Sequence, residues 1–278
     1  LDTLSRGKQA LVFANTRKRS HQMAKKLLAL TQNSLTESEK ETLARASKRI
    51  LNTLESPTEQ CRELTHAVAN GCAFHNAGLL SKQREIVEDL FREGAIKIVC
   101  ATPTLAAGIN MPAFRVVIPS LYRYTEFGNQ RIAVREFKQM AGRAGRPRFD
   151  SSGQAIVFAN SQMESDEIFA TFINGQIEEV SSKLALEPVL RTHLLAAIAT
   201  NYVFDLVSLE EFFSKTFYAH QYKNMVAFFE KISKILKELE AMGFVKSTDK
   251  KIAATLLGNR VSELYLDPMS ANEMILAL

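Results

Sequence analysis

Five short apolar runs, each flanked by a helical pattern or a polar loop, restrict this chain to one kind of architecture more than any other feature of its sequence. They are residues 10–14 (Ala-Leu-Val-Phe-Ala), 71–74 (Gly-Cys-Ala-Phe), 96–100 (Ile-Lys-Ile-Val-Cys), 115–118 (Arg-Val-Val-Ile) and 155–158 (Ala-Ile-Val-Phe). Runs of four or five apolar residues without alternation suit strands covered on both faces. Helical patterns follow the first run, over residues 17–30, and the second, over residues 82–92. A further helix precedes the last run. Strands alternating with helices at this spacing predict an α/β fold, a parallel sheet with flanking crossover helices. Residues 31–60 are polar and carry one helical pattern around Leu43, Ile50 and Leu54, so they read as a helical insertion. Beyond Gly175 the pattern turns helical, most clearly over residues 186–200 and 225–242, and Gly243 then leads into a short strand. This predicts a separate, mostly helical domain of winged-helix type. The expected boundaries are 1–178 for the α/β domain, with a β-hairpin at 119–135; 179–267 for the winged helix; and 268–278 for the start of a following helical domain.

A length of 278 residues with 46% hydrophobic side chains is enough for two such domains. No apolar run approaches the about 18 residues needed to cross a bilayer, and no membrane association is expected. Charge is divided unevenly. Residues 1–150 hold 24 Lys and Arg against 14 Asp and Glu, a net +10, whereas residues 151–278 hold 11 against 16, a net −5. A basic front half is the compositional mark of a polyanion-binding surface. The three cysteines, Cys61, Cys72 and Cys100, are few and odd in number, which points to a reducing compartment: cytoplasmic, and nucleoid-associated if the source is prokaryotic. The spacing of Cys61, His66, Cys72 and His75 matches no compact zinc finger, and no metal site is expected. Cys100, ending an apolar run, reads as core. His193 reads as a packing residue or a phosphate neighbour, and the aromatic residues Phe212, Phe213, Phe217, Tyr218, Phe228 and Phe229 at helical spacing read as core.

The chemistry is concentrated in Gln139-Met-Ala-Gly-Arg-Ala-Gly-Arg146. Arg143 and Arg146 are three apart, which on a helix places two guanidinium groups on one face. Such forks bind phosphate bidentately and can stabilise charge on a transferring phosphoryl group. Gly142 and Gly145 cost helix stability, about 1 kcal/mol each relative to Ala, so they are expected where another body must approach closely.

This stretch resembles the sixth motif of superfamily-two helicases, in particular the Ski-like branch, which typically reads Q-M-x-G-R-A-G-R-P. Other stretches follow in the same order and spacing. Residues 11–17 (Leu-Val-Phe-Ala-Asn-Thr-Arg) resemble the fourth motif, where Thr16 and Arg17 near a helix N-terminus would hold a nucleic-acid phosphate. Phe74-His75 with Arg84 resembles the segment that contacts the backbone of the tracked strand. Residues 101–112 resemble the fifth motif, in which Thr102 and Thr104 would face nucleic acid while Gly108 and Asn110 approach the nucleotide. Hydroxyls and backbone N–H groups suit that task because they bind phosphate without reading bases.

The resemblance implies that residues 1–178 are a second RecA-like domain and that Arg143, Arg146 and Gln139 are its catalytic residues. ATP and Mg²⁺ would be the cofactors. No G-x-x-x-x-G-K-[ST] loop occurs, and Asp166-Glu167 is followed by Ile-Phe, so the Mg²⁺ ligands are expected in a missing first RecA-like domain. The chain therefore reads as a monomeric piece of a longer helicase. The Leu-Ala-Ala-Gly-Ile-Asn-Met-Pro form is similar to that of archaeal repair helicases, akin to the helicase part of polymerase theta, that unwind forked DNA from 3′ to 5′. The expected partner is single-stranded or forked DNA. RNA is the alternative within the branch, and a binding module on a degenerate motor domain is the alternative outside it. Related helicases place a strand-separating hairpin at the position of residues 119–135. There Gly128-Asn129 suits a tight turn, and Tyr122, Tyr124 and Phe127 are the side chains expected to part the duplex.

Overall fold

Leu11, Val99 and Val116 lie side by side at the centre of the first unit, each wholly buried, because three parallel strands put them in register. The computed structural model describes residues 1–103, 111–125, 128–146, 150–248 and 251–277, with the backbone alone at 125. It divides into two compact units, residues 1–178 and 179–278.

The sheet of the first unit contains β1 (Ala10–Phe13), β2 (Cys72–His75), β3 (Ile98–Ala101), β4 (Arg115–Ile118) and, last in the chain, β7 (Gln154–Val157). All four neighbouring pairs are parallel and the order is β2-β3-β1-β4-β7. A short helix α1 (Asp2–Ser5) precedes β1, and α2 (Arg17–Gln32) follows it. Thr16 starts α2 because its hydroxyl accepts from the Arg19 amide at 3.1 Å, satisfying one of the helix's orphan donors.

The insertion is a pair of helices, α3 (Glu37–Leu51) and α4 (Glu59–Ala69). A reciprocal capping box between Thr36 and Glu39 opens α3, which buries Leu43 and Ile50, while α4 buries Leu64. Leu54, expected on that helical pattern, lies past the helix end, and α4 went unrecognised in the sequence. The ion pair of Lys97 with Glu39 ties α3 to the start of β3. Helix α5 (Ser81–Arg92) buries Ile86, Val87, Leu90 and Phe91, the stripe expected of a crossover helix.

After β4 the chain forms an antiparallel hairpin, β5 (Tyr122–Thr125) with β6 (Gly128–Arg131), and then α6 (Val134–Ala141). The pairing of Thr125 with Gly128 puts Gly128 and Asn129 on β6, not in the turn. The joining residues, Glu126 and Phe127, lie outside the described residues. Helix α7 (Gln162–Ile168) follows β7 and runs into a π-helical turn, Phe169–Ile173.

The second unit is helical with an antiparallel wing. Its helices are α8 (Glu187–Ala199), α9 (Leu206–Ser214), α10 (Phe217–Gln221), α11 (Val226–Ala241), α12 (Leu256–Glu263) and α13 (Pro268–Leu276); its wing is β8 (Val245–Thr248) with β9 (Lys251–Ala254). Phe213 and Phe228 fill its core, with Tyr218 stacked on Phe228 at 4.3 Å, whereas Phe217 is half exposed. Gly258 is required by packing: a Cβ there would meet the Phe244 carbonyl oxygen at 1.9 Å. Buried Arg191 pairs with Asp267 at 2.9 Å and joins α8 to the start of α13. Among the described residues no helix is long and apolar enough to cross a membrane.

Candidate nucleic-acid groove and nucleotide-facing segment

Parallel strands end at one edge of a sheet, and in open α/β folds that edge is where ligands bind. Here Asn15 to Arg17 follow β1, Asn76 to Gly78 follow β2, Thr102 follows β3, and Ser120 follows β4 at that edge. Thr16, Arg17 and Thr102 come together in a groove of about 330 Å³, which Asn15, Arg123 and Glu136 also line. Thr16 and Arg17 are exposed. Thr102 is largely buried, and its amide donates to the His75 carbonyl at 3.1 Å. Arg123 and Glu136 were missed in the sequence. Their ion pair, at 3.1 Å, spans the groove from the hairpin to α6. The period-two alternation of β5 was the available signal, since it sets Arg123 opposite Tyr122 and Tyr124.

His75 and Arg84 do not line that groove among the described residues. Instead of facing a strand openly, His75 is 3% exposed and its Nε2 lies 2.9 Å from Glu88 Oε1. Burial holds its pKa below the ordinary imidazole value, outweighing Glu88, while nearby Arg84 pushes the same way as burial. His75 Nδ1 and Arg84 Nε are also the buried side-chain atoms without a hydrogen-bond partner among the described residues. Such atoms are uncommon in folded proteins. Thr104, Gly108 and Asn110 lie outside the described residues.

The arginine segment departs from expectation. Helix α6 ends at Ala141 with Gly142 as its cap, so Arg143 and Arg146 do not share a helical face. Gln139 stays on the last turn of α6, exposed. Ala144 forms a parallel bridge with Ala113: the Ala113 amide donates to the Arg143 carbonyl at 2.9 Å, and the Gly145 amide donates back to Ala113 at 2.7 Å. This bridge fastens the arginines to the chain that leaves the fifth-motif segment. Gly145 has φ +91°, and a Cβ on Gly153 would come within 2.2 Å of the Gly145 nitrogen. The close approach foreseen for these glycines is thus made by Gly153 of the same chain at Gly145, and Gly142 caps a helix.

Arg143 is half-buried. Arg146 donates through Nε to Asp150 Oδ2 at 2.9 Å and through Nη1 to Gln9 Oε1 at 2.7 Å. Gln9 donates in turn to the carbonyls of Phe91 and Ile96, both at 2.6 Å. Asp150, whose side chain is 1% exposed, also receives Lys8 at 2.6 Å. Arg146 is therefore held by Asp150 and Gln9 in this structure.

The Arg146 guanidinium, opposed by burial and helped by Lys8, holds the Asp150 carboxyl down from its ordinary 3.8 to about 2. A depressed carboxyl pKa contributes stability that is fully present above the unfolded value and is lost as pH falls through the folded one. Asp150→Ala is therefore expected to destabilise the chain by about 3 kcal/mol at pH 7, the lower end for a broken buried pair because both cations keep some solvent. Chemical denaturation at pH 7 and at pH 2.5 checks this: the gap between variant and parent should shrink at the lower pH, and an equal gap would contradict the assignment.

The hairpin has a fixed root and an open end. The Asn15 side-chain amide donates to the Tyr122 carbonyl, Arg131 Nε donates to the Tyr122 hydroxyl at 3.0 Å, and Arg131 pairs with Glu167 at 2.7 Å. Tyr122, expected as a parting residue, is half-buried because its ring packs against the core of the first unit. Tyr124, by contrast, is 86% exposed. Phe127 lies outside the described residues.

With this geometry in place, comparison with known families is decisive: residues 1–148 match the helicase conserved C-terminal domain. The chain belongs to that family. It is 42% identical over 271 residues to an ATP-dependent DNA helicase Hel308 from Methanocella arvoryzae, covering 97% of this chain and 36% of that protein. It is 42% identical to the Hel308 of Pyrococcus abyssi, over 97% and 37%, and 39% identical to that of Pyrobaculum calidifontis, over 96% and 38%. The chain thus spans little more than a third of the length of these relatives. The RecA-like α/β reading of the first unit agrees with both the sheet and the family match.

Proposed function

We propose that this chain is the second motor domain and winged helix of an ATP-dependent DNA helicase that works from 3′ to 5′ on forked or partly single-stranded DNA in repair or restart. The groove that gathers Thr16, Arg17, Thr102 and Arg123 at the strand ends, beside an exposed hairpin, carries the reading. DNA is favoured over RNA because the relatives are named DNA helicases. Hydroxyls and guanidinium groups grip a phosphate backbone without reading bases, as movement along any sequence demands.

Arg143 and Gln139 suit a phosphate chain, with Arg146 holding their segment in place. ATP, with Mg²⁺ held by ligands on a first RecA-like domain outside this chain, would supply the free energy of each step. This chain's own part is to bind the strand, orient Arg143 and part the duplex. Taken by itself, it is proposed to be inactive.

Fluorescence anisotropy of this chain with single-stranded oligonucleotides of unrelated sequence tests the groove. About three neutralised phosphates predict that affinity falls about twentyfold between 50 and 200 mM salt. Arg17→Ala with Arg123→Ala should weaken every sequence about equally and flatten that dependence. Salt-independent binding, or binding restricted to one sequence, would overturn the reading.

A further inference from the structure

A second groove, of about 240 Å³, lies beside the first and shares only Asn15 with it. Its polar lining is Asn15, Arg19, Gln22, Lys26 and Ser120, over a floor that includes Phe13 and Met23. Among the described residues no carboxylate lines it, whereas in the first groove Glu136 offsets Arg123. Arg19 and Lys26 are seven residues apart on α2 and so share one face, about 10 Å apart along the axis, with Gln22 between them. Both are exposed, and among the described residues neither pairs with a carboxylate. Helix α2 holds five cations, Arg17, Lys18, Arg19, Lys25 and Lys26, and no acidic residue. A flank of this kind attracts a phosphate backbone without regard to sequence.

Position indicates which backbone. Asn15, the residue common to both grooves, holds the Tyr122 carbonyl at the root of the hairpin, and Ser120 of the second groove lies just before β5. A wedge that parts a duplex sends one strand to each side. The first groove takes the tracked strand; the second opens next to the same root, on residues that, Asn15 apart, do not line the first groove. We propose that the Arg19–Lys26 face of α2 binds the phosphate backbone of the displaced strand. This rests on the reading of the first groove given above.

The test is strand-resolved photo-crosslinking of this chain to a forked DNA with differently labelled strands. A benzophenone side chain is placed at Gln22 in one preparation and at Ala77, an exposed residue of the first groove, in another. Labelling of one strand from Ala77 and of the other from Gln22 is the expected result. Labelling of the same strand from both would make the second groove an extension of the tracked path, and labelling from Ala77 alone would leave it without a ligand; either overturns the proposal. Labelling from neither position would fell the reading of the first groove as well. As a second measurement, Arg19→Glu with Lys26→Glu should weaken binding to a two-tailed fork at least fivefold while leaving affinity for a single strand within twofold. Equal losses on both DNAs would also contradict the assignment.

Discussion

Replacing residues 124–129 by a two-residue turn, which keeps Arg123 and its pair with Glu136, in a full-length helicase carrying this chain, is expected to slow duplex unwinding more than tenfold while single-strand-stimulated ATP hydrolysis stays within about twofold. The substitution keeps Tyr122 and Arg131, whose contact with each other and with Glu167 fixes the hairpin root, so the fold around it is retained. It removes Tyr124, which stands 86% exposed on a two-stranded ribbon, an arrangement with no purpose in a core. Unstacking a base step costs a few kcal/mol, and a rigid aromatic ring that stacks on the opened end offsets part of it. Each 1.4 kcal/mol so supplied is a factor of ten in an equilibrium. Tyr124→Ala should show the same split at smaller amplitude. Equal losses of unwinding and hydrolysis would mean that the hairpin merely supports the fold, and undiminished unwinding would mean that it is not the wedge.

The parts of this architecture that could be read from sequence are those governed by local rules. Buried parallel strands need uninterrupted apolar runs, so all five strands of the sheet were visible to within two residues at either end. The hairpin was visible from β-forming residues around a glycine, but its register was not. Gly128 does have the positive φ of +91° that suggested a turn residue, yet it spends it at the first position of β6. The arginine segment shows where local rules fail. Spacing by three implied a shared helical face, but whether a helix continues past Ala141 depends on Ala113, thirty residues earlier, which captures Ala144 in a bridge. The anchoring of Arg146 was equally hidden, because it depends on Gln9 and Lys8 from the other end of the domain. Arg123 escaped notice because a groove is a property of several loops together, and α4 because its buried side is small and broken by polar residues.

Arg143 is expected to carry the largest single effect on catalysis. In an assembly that holds this chain against a first RecA-like domain, Arg143→Ala should lower single-strand-stimulated ATP hydrolysis by about 10³-fold, the scale of an arginine that stabilises a transferring phosphoryl group. Arg146→Ala should reduce hydrolysis too, but together with a lowered thermal midpoint, since it strips Asp150 of its main partner in a buried site. The most direct measurement is steady-state ATP hydrolysis by the purified 278-residue chain, alone and after fusion to a first RecA-like domain with its phosphate loop, each with and without Arg143→Ala. The account predicts no hydrolysis above background from the chain alone, DNA-stimulated turnover from the fusion, and loss of that turnover in the variant. Turnover by the chain alone, or a fusion indifferent to Arg143→Ala, would contradict it.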